Sequence, residues 1–544
     1  MFKLKLRRQI LEKYPEVDFD ILTPPDGKMG DYSTNLAFVL AKEEKQNPKE
    51  IARNIIEDFK KDEGLSVYID KVEEHNGFIN FYLNQDYLKS VLVDVLEKGE
   101  KFGNSEIGKG IKINLEFVSA NPTGPLVVVA ARASSYGDVL GNVLKKVGYQ
   151  ISKEYYINDV GVQVGKLAQS IKLRIKEIKG EKVEFGEGLY QGEYIKEIAQ
   201  EFIDKNISEE LIQSEAIKTM VGQAKQTMDS LGVFFDEWFS ESKLHESGEV
   251  KKVLADLESG GFTIDEDGAK WLKMNNEQKA TAVGGAPLKA GAVLVKSDGS
   301  ATYLLNDIAY TKNKLERGFT SAINIWGADH HGDVIRLKTG VSALGYDPDR
   351  LEILLHQMVT LKEGDQLLRM SKRKGHFVLL GDLIREVGKD AVRFFFLTRD
   401  LDTHMEFDVE LAKRQSKENP VFYIQYAFAR LNSVFEKCKN QNIEIKTGVE
   451  NLKLIKEDEE LRLLKNLSKF PEVLEDISDN YQVHHLAQYA LGLASDFHKF
   501  YEKHHIIQED NPELQSARLL LSKGVHIVLK ICLRVMGISA PERM

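Results

Sequence analysis

The sequence predicts a multidomain α/β protein, and three observations carry that expectation. Residues 112–142, KINLEFVSANPTGPLVVVAARASSYGDVLGN, open with the alternating Ile113, Leu115 and Phe117, break at Asn121 to Pro125, and resume as a small-residue helix from Ala130 to Leu144. Residues 1 to about 105 mix helical and alternating periodicities, the pattern of an α+β module. From about residue 401 helical periodicity is nearly continuous with few Gly or Pro, which predicts an all-α bundle. A length of 544 residues leaves room for three or four such units.

Composition narrows the function. Charged residues at 29% and hydrophobic residues at 42% describe a soluble globular protein. The net charge of −10 argues against a nonspecific nucleic-acid coat, yet permits basic residues gathered on one face. With only Cys438 and Cys532 there is neither a disulfide framework nor a cysteine metal site. No apolar run approaches a membrane span, and MFKLKLRRQ lacks the apolar core of a signal peptide, so a cytoplasmic location is expected.

In the N-terminal module, Phe2 to Tyr14 and Pro48 to Glu63 read as helices, and Ser66 to Val72 and Gly77 to Leu83 as strands. The stretch Asp31 to Asn35 carries the polar side chains of a helix start. At residues 112–142, strand, polar turn and helix is an arrangement that offers unpaired N–H groups to an anion, although a plain crossover reads the same. Beyond YYINDVGVQVGKLAQS (Tyr155 to Ser170) a long charged helical region runs to Leu231, read as part of an insertion, and KATAVGGAPLKAGA (Lys279 to Ala292) as a surface loop.

Val293 to Tyr310 then gives a strand, an Asp298-Gly299 turn, and a segment presenting Tyr303 and, one helical turn on, Asp307. That pair can hold a guanidinium, the carboxylate pairing with it and the ring packing on its stem; a solvated helix face is the alternative. INIWGADHHGDVIRLK (Ile323 to Lys338) is a buried strand ending in Asp329, His330 and His331, which lack further ligands at metal-site spacing and suit nucleotide or amino-acid contacts better. In LLRMSKRKGHFVLLGDLIREVGKDAVRFFFL (Leu367 to Leu397), Met370, Ser371, Lys372 and Lys374 lie in a basic stretch that by its residues alone reads as a surface loop. Aromatics of the C-terminal bundle, Phe422, Tyr423, Tyr426 and Phe428, lie at core spacing, although splayed bases also need such platforms.

Several of these words resemble one family in order along the chain. E-F-V-S-A-N-P-T-G-P-L with A-A-R and Y-G-D-V-L, R-M-S-K-R-K-G, G-D-Y-S-T-N with G-F-I-N-F, and Q-Y-A-x-A-R-L with the terminal A-P-E-R-M resemble the bacterial arginyl-tRNA synthetases of class I. The resemblance implies a Rossmann-like catalytic domain at 106–400 with an insertion at about 165–290. It also implies an elbow-binding module at 1–105 and an anticodon-binding bundle at 401–544. It implies ATP-dependent activation of L-arginine and transfer to tRNA(Arg) by a monomer, with Mg2+ accompanying the ATP and no metal held permanently.

By the same resemblance Glu116, Ser119, Asn121, Tyr303 and Asp307 bind arginine, while Val127 to Ala130, Asp329, His330, Met370, Ser371 and Lys372 bind ATP. Asn158, Asp159, Gly161 and Gln163 match family words, and Val162 departs from them. Asn35 and Asn80, with Asp31, Tyr32 and Phe78, are the elbow candidates, and Tyr426, Arg430, Arg518 and Met544 the anticodon candidates.

One departure stands out. Where class I synthetases carry H-I-G-H, this sequence has Val127, Val128, Val129 and Ala130, whose side chains donate no hydrogen bond. Each lost donor to developing charge typically costs about 2.7 to 4 kcal/mol. The expectation is therefore weakened or absent activation unless Ser371 with Lys372, Lys374 or Arg132 compensates, the alternative being a noncatalytic tRNA-binding protein.

Overall fold

The computed structural model describes residues 2–24, 27–60, 63–274, 292–364, 366–368, 378–444, 448–508 and 510–544. The N-terminal module packs helices Phe2–Lys13, Leu36–Glu44 and Pro48–Lys60 on an antiparallel sheet. Its strands β1 (Ile21–Leu22), β2 (Tyr32–Thr34), β3 (Ile69–His75) and β4 (Phe78–Leu83) run in the order β1-β2-β4-β3. Helix Pro48–Lys60 buries Ile51, Ile55, Ile56 and Phe59, one stripe of a 3.6-residue period, and β4 buries Ile79, Phe81 and Leu83, one face of a pleat. Two local expectations shift. Tyr32 to Thr34 are strand rather than helix start, and β3 begins at Ile69 because Glu63–Ser66 closes a helical turn.

The middle region is built on a parallel sheet of β5 (Lys112–Glu116), β6 (Gln150–Ile157) and β7 (Glu237–Ser240) on one side. A small antiparallel sheet of β8 (Thr263–Glu266), β9 (Ala269–Leu272) and β10 (Ala292–Val295) follows in sequence. The parallel sheet then continues with β11 (Ser321–Gly327) and β12 (Leu351–His356), giving the order β12-β11-β5-β6-β7. The chain leaves β5 toward β6 and returns on its other flank as β11. The strand order therefore reverses at β5, where doubly wound sheets bind ligands at their carboxyl edge. β7 lies inside the stretch read as insertion; its four residues carry too short a pattern to announce themselves. The helices Val162–Ile178, Glu193–Asp204 and Ile212–Leu231 do form a separate unit around their own core of Leu167, Ile171, Ile195, Ile198 and Phe202.

Helix Val129–Lys146 lies directly on this sheet, and its small residues are the reason it can. A Cβ on Gly137 would sit 2.4 Å from the ring of Phe117. Beyond it β13 (Val359–Glu363), β14 (Gln366–Leu368) and β15 (Met405–Asp408) form a third small sheet. The all-helical region therefore starts after β15 rather than at 401. It comprises Pro420–Asn440, Asp458–Asn480, His484–Lys503 and Pro512–Val535, with Asn419 and Asn511 capping helices that open on Pro. No helix among the described residues is long and apolar enough to cross a membrane.

A buried ionic node joins these parts. Arg393 pairs with Asp138 of helix Val129–Lys146, and its Nε donates to the Met536 carbonyl at 2.7 Å, past the last helix. Its Nη1 lies 3.3 Å from the Leu231 and Gly232 carbonyls at the end of the insertion. Lys153 of β6 donates to the other Asp138 oxygen at 2.5 Å. Burial pushes the Asp138 carboxyl up, and the two cations more than offset that, holding it below its usual value. Removing one partner of a buried pair typically costs about 3 to 5 kcal/mol. Arg393→Met is expected to destabilise the chain by that amount in urea unfolding; a loss under about 1 kcal/mol would show that the node is a surface-grade pair.

Candidate functional site

At the end of β5 the chain bends through two residues with left-handed backbone, Val118 at φ 72° and Ser119 at φ 40°. A β-branched residue there costs of order 1 to 3 kcal/mol and persists only where its surroundings hold it. The neighbours do so. The Tyr155 hydroxyl accepts from the Ala120 N–H and donates to its carbonyl, both at 3.1 Å, and the Tyr156 N–H donates to Ser119 Oγ at 3.1 Å.

Beside this bend three elements aim carboxylates at one space. Glu116 ends β5, Glu241 follows β7, and Asp307 lies on helix Tyr303–Glu316, one turn after Tyr303 as its spacing requires. Glu116 is answered within the fold: buried Lys314 donates to it at 2.6 Å and to Asn324 Oδ1 at 2.8 Å. Asp307 and Glu241 are not so answered. Among the described residues no cation or donor bonds Asp307, and Glu241 meets neutral groups, accepting from Asn306 Nδ2 at 2.5 Å and, with its amide oriented to donate, from Asn158 at 3.1 Å, with the Tyr156 hydroxyl beside it and His245 Nε2 3.5 Å away. Burial, then Glu116, Glu241 and Asp333, raise the Asp307 carboxyl well above its usual range. Burial, with Asp159 adding to it, raises Glu241 to about 7. The space is thus shaped for a cation, and Tyr303, exposed at its rim, offers an aromatic face. Asp159 serves elsewhere, accepting from Ser242 N and Oγ at 2.9 Å each.

The phosphate side is less generous. Val127 bridges Leu379, Val128 N donates to the Val378 carbonyl at 3.2 Å, and Leu380 N donates to the Leu126 carbonyl at 2.9 Å. The Val127 to Ala130 tetrapeptide is therefore paired to the segment that follows the basic loop. Val128 and Ala130 are buried, and all four side chains are apolar. Arg132 corrects its sequence assignment: it has no exposed surface, and its guanidinium donates to the carbonyls of Gln357, Asp400 and Thr403 at 3.1, 2.7 and 2.6 Å. With those bonds made inside the fold, it cannot reach a nucleotide. Asp329 and His330 lie exposed after β11; a hydrogen bond to Asp333 raises the His330 ring above its usual value. His331 is exposed, and no group of three metal-ligating side chains occurs among the described residues. His356, absent from the sequence candidates, ends β12 near Arg132, Asp329 and His330, and burial lowers its pKa. Met370, Ser371, Lys372 and Lys374 lie outside the described residues.

Several polar residues assigned to tRNA are spent inside the protein. Asp31 pairs with Lys465 at 2.7 Å, and the Tyr32 hydroxyl donates to Glu472 at 2.6 Å, both docking the N-terminal module on helix Asp458–Asn480. Asn80 is buried and accepts from Ser33 Oγ at 2.6 Å, and half-buried Asn35 bonds the backbone and carboxylate of Asp20 at 2.8 and 3.0 Å. Arg518 is buried on Glu460 at 2.7 Å and the His505 carbonyl at 3.0 Å. What the module does expose is an aromatic pair, Phe38 and Phe78, with centroids 4.8 Å apart. The bundle exposes a ladder in which the Arg430 guanidinium lies 4.6 Å from each of Tyr426 and Tyr501, with His498 stacked on Tyr426 at 5.7 Å. Met544 is exposed. Glu241, Asn306, Phe38 and Tyr501 were missed because no local spacing links them to their partners.

Three family models match the chain in series: the arginyl tRNA synthetase N terminal domain at 3–83, the catalytic domain of class I (R) tRNA synthetases at 91–402, and the DALR anticodon binding domain at 424–544. The fold is accordingly that of a class I aminoacyl-tRNA synthetase. The arginine–tRNA ligase of Carboxydothermus hydrogenoformans is 42% identical over 98% of this chain and 96% of its own length. That of Thermotoga petrophila is 41% identical over 97% and 96%. The Thermus thermophilus arginyl-tRNA synthetase structure superposes with TM-score 0.78 over all of both chains at 21% identity, a likeness of fold. The chain belongs to the arginyl-tRNA synthetase family.

An unanswered carboxylate costs stability. Because the Asp307 pKa is raised on folding, the cost is present above that pKa and disappears below the unfolded value of about 3.9. Asp307→Asn is therefore expected to stabilise the ligand-free chain at pH 8 by about 1 to 3 kcal/mol, with the gain vanishing toward pH 4 in urea titrations. Destabilisation at pH 8 would contradict this.

Proposed function

We infer that this chain is an arginine–tRNA ligase: it joins L-arginine and ATP into arginyl-adenylate, releasing pyrophosphate, and passes the arginyl group to the terminal ribose of tRNA(Arg). The carrying observation is the pocket at the strand reversal, where Asp307 and Glu241 lack a cation and Tyr303 stands at the rim. A guanidinium supplies the charge and the fork of donors that two carboxylates require. Ser119 and Asn121, on the bend, face the remainder of the amino acid. Its carboxylate attacks the α-phosphorus, and charge collects on the departing pyrophosphate.

Val127, Val128, Val129 and Ala130 form a wall for the nucleotide without donating to it, and Arg132 acts only by holding that wall to the β12 end. The donors to the triphosphate are then Lys372, Lys374 and Ser371 with the backbone at Met370, and Asp329 and His330 border the nucleotide. Mg2+ arrives with the ATP as part of the substrate. The enzyme works as a monomer in the cytoplasm. Residues 1–105 meet the tRNA elbow, through Phe78 with Phe38, 106–400 catalyse, with an insertion at about 165–290, and 401–544 read the anticodon through Tyr426, Arg430, Tyr501 and Met544. Stacked bases contribute roughly 1 to 3 kcal/mol each on such platforms. The comparisons lend nothing to a noncatalytic tRNA-binding protein.

Two outcomes test this. The unaltered chain is expected to charge tRNA(Arg) with radiolabelled arginine, and Lys372→Ala to lose about 100-fold or more in kcat. A silent chain that still binds tRNA, alongside an active Val127→His, Val129→Gly, Ala130→His revertant, would contradict it. Arginine binding must also deprotonate the pocket. Glu241 at about 7 makes affinity fall about tenfold from pH 8 to pH 6 by calorimetry, with more loss as Asp307 protonates; a flat profile would remove these carboxylates from the site.

A further inference from the structure

The insertion helices touch the bend that carries Ser119 and Asn121 at two points. The Tyr194 hydroxyl, on the first turn of Glu193–Asp204, donates to the Thr123 carbonyl at 2.8 Å. Asn121 Nδ2 donates to Gln163 Oε1 at 3.1 Å, from the first turn of Val162–Ile178. Gly124 stands against the same tyrosine: a Cβ there would lie 3.3 Å from Tyr194 Oη. Gly124 does not have a positive φ, so close approach and not backbone conformation is what a side chain at this position disturbs.

These contacts come from a body with its own core, and they hold a segment that is strained four residues upstream. Val118 and Ser119 stay in the left-handed region only while something fixes both flanks of the bend. The Tyr155 and Tyr156 bonds fix the near flank, at Ala120 and Ser119. Nothing from the sheet bonds the far flank at Asn121 to Thr123 among the described residues; Gln163 and Tyr194 do.

We propose that Tyr194, assisted by Gln163, is a positioning residue for amino-acid binding: it clamps the far side of the strained bend so that Ser119 and Asn121 face the arginine pocket. The clamp makes the three helices Val162–Ile178, Glu193–Asp204 and Ile212–Leu231 part of the amino-acid site without any of them touching the ligand. It rests on the functional reading above, in that the ligand of the pocket is arginine.

The test is calorimetric titration of the full chain with L-arginine alone, so that the state of the Val127 to Ala130 segment does not enter. Tyr194→Phe removes one hydroxyl and is expected to weaken arginine binding about fivefold, the ratio that a net hydrogen bond of ordinary strength corresponds to, with an unchanged melting temperature. Gly124→Ala is expected to weaken it as well by crowding the hydroxyl. In Tyr194→Phe/Gly124→Ala the crowded atom is gone, so the double variant should bind no worse than Tyr194→Phe alone. Wild-type affinity in Tyr194→Phe, additive losses in the double variant, or affinity and melting temperature falling together would each overturn the clamp. An unaltered chain that does not bind arginine would instead overturn the functional reading.

Discussion

Two carboxylates, buried Glu241 and half-buried Asp307, that bond no cation of the fold among the described residues are the constraint on which the site depends. Each is raised above its ordinary pKa by burial and by its acidic neighbours, so this is a place where the fold is less stable than its sequence allows. Glu116 shows what a settled version looks like: Lys314 and Asn324 satisfy it internally, and it serves as a fixed wall. Asp307 and Glu241 bond no cation of the fold among the described residues, and the proposed function assigns them to the ligand.

The cations around the site follow the opposite rule. Arg132 and Arg393 are buried, and backbone carbonyls account for most of their bonds. They tie helix Val129–Lys146 to the β12 end and to the last helix of the bundle. The start of that helix is thereby fixed rigidly but has no positive side chain to give a phosphate. On the proposed function, with the tetrapeptide apolar, transition-state charge on the triphosphate falls to Ser371, Lys372 and Lys374; the segment that follows them is bonded at Val378 and Leu380 to Val128 and Leu126. The wall and the segment Val378 to Leu380 therefore keep register through the backbone even though the usual side-chain donors are gone.

The strand, bend and helix of residues 112–146 were legible because period and punctuation are local, and Tyr303 with Asp307 were legible because one helical turn fixes their geometry. β7 and β15 were not. Four-residue strands inside helical stretches are decided by the sheet they join, as the parallel pairing of Glu237 to Ser240 with β6 shows. Polar residues misled most. Asp31, Tyr32, Asn80 and Arg518 have the chemistry of tRNA contacts, but each meets an internal partner from a distant part of the chain or a neighbouring strand first. Arg132 is the same case in the catalytic region. Glu241 was invisible for the converse reason: its partners Asn158 and Asn306 come from two segments distant from it in sequence.

The central claim is that charge, held by Asp307 and Glu241, selects the ligand. Calorimetry of the unaltered chain with L-arginine and with L-citrulline, its neutral isostere, tests it most directly. The account predicts that citrulline binds about 100-fold more weakly or not at all at pH 8, since it would leave both carboxylates buried and unpaired. Comparable affinities for the two would mean that shape, not charge, defines the pocket, and would contradict the account.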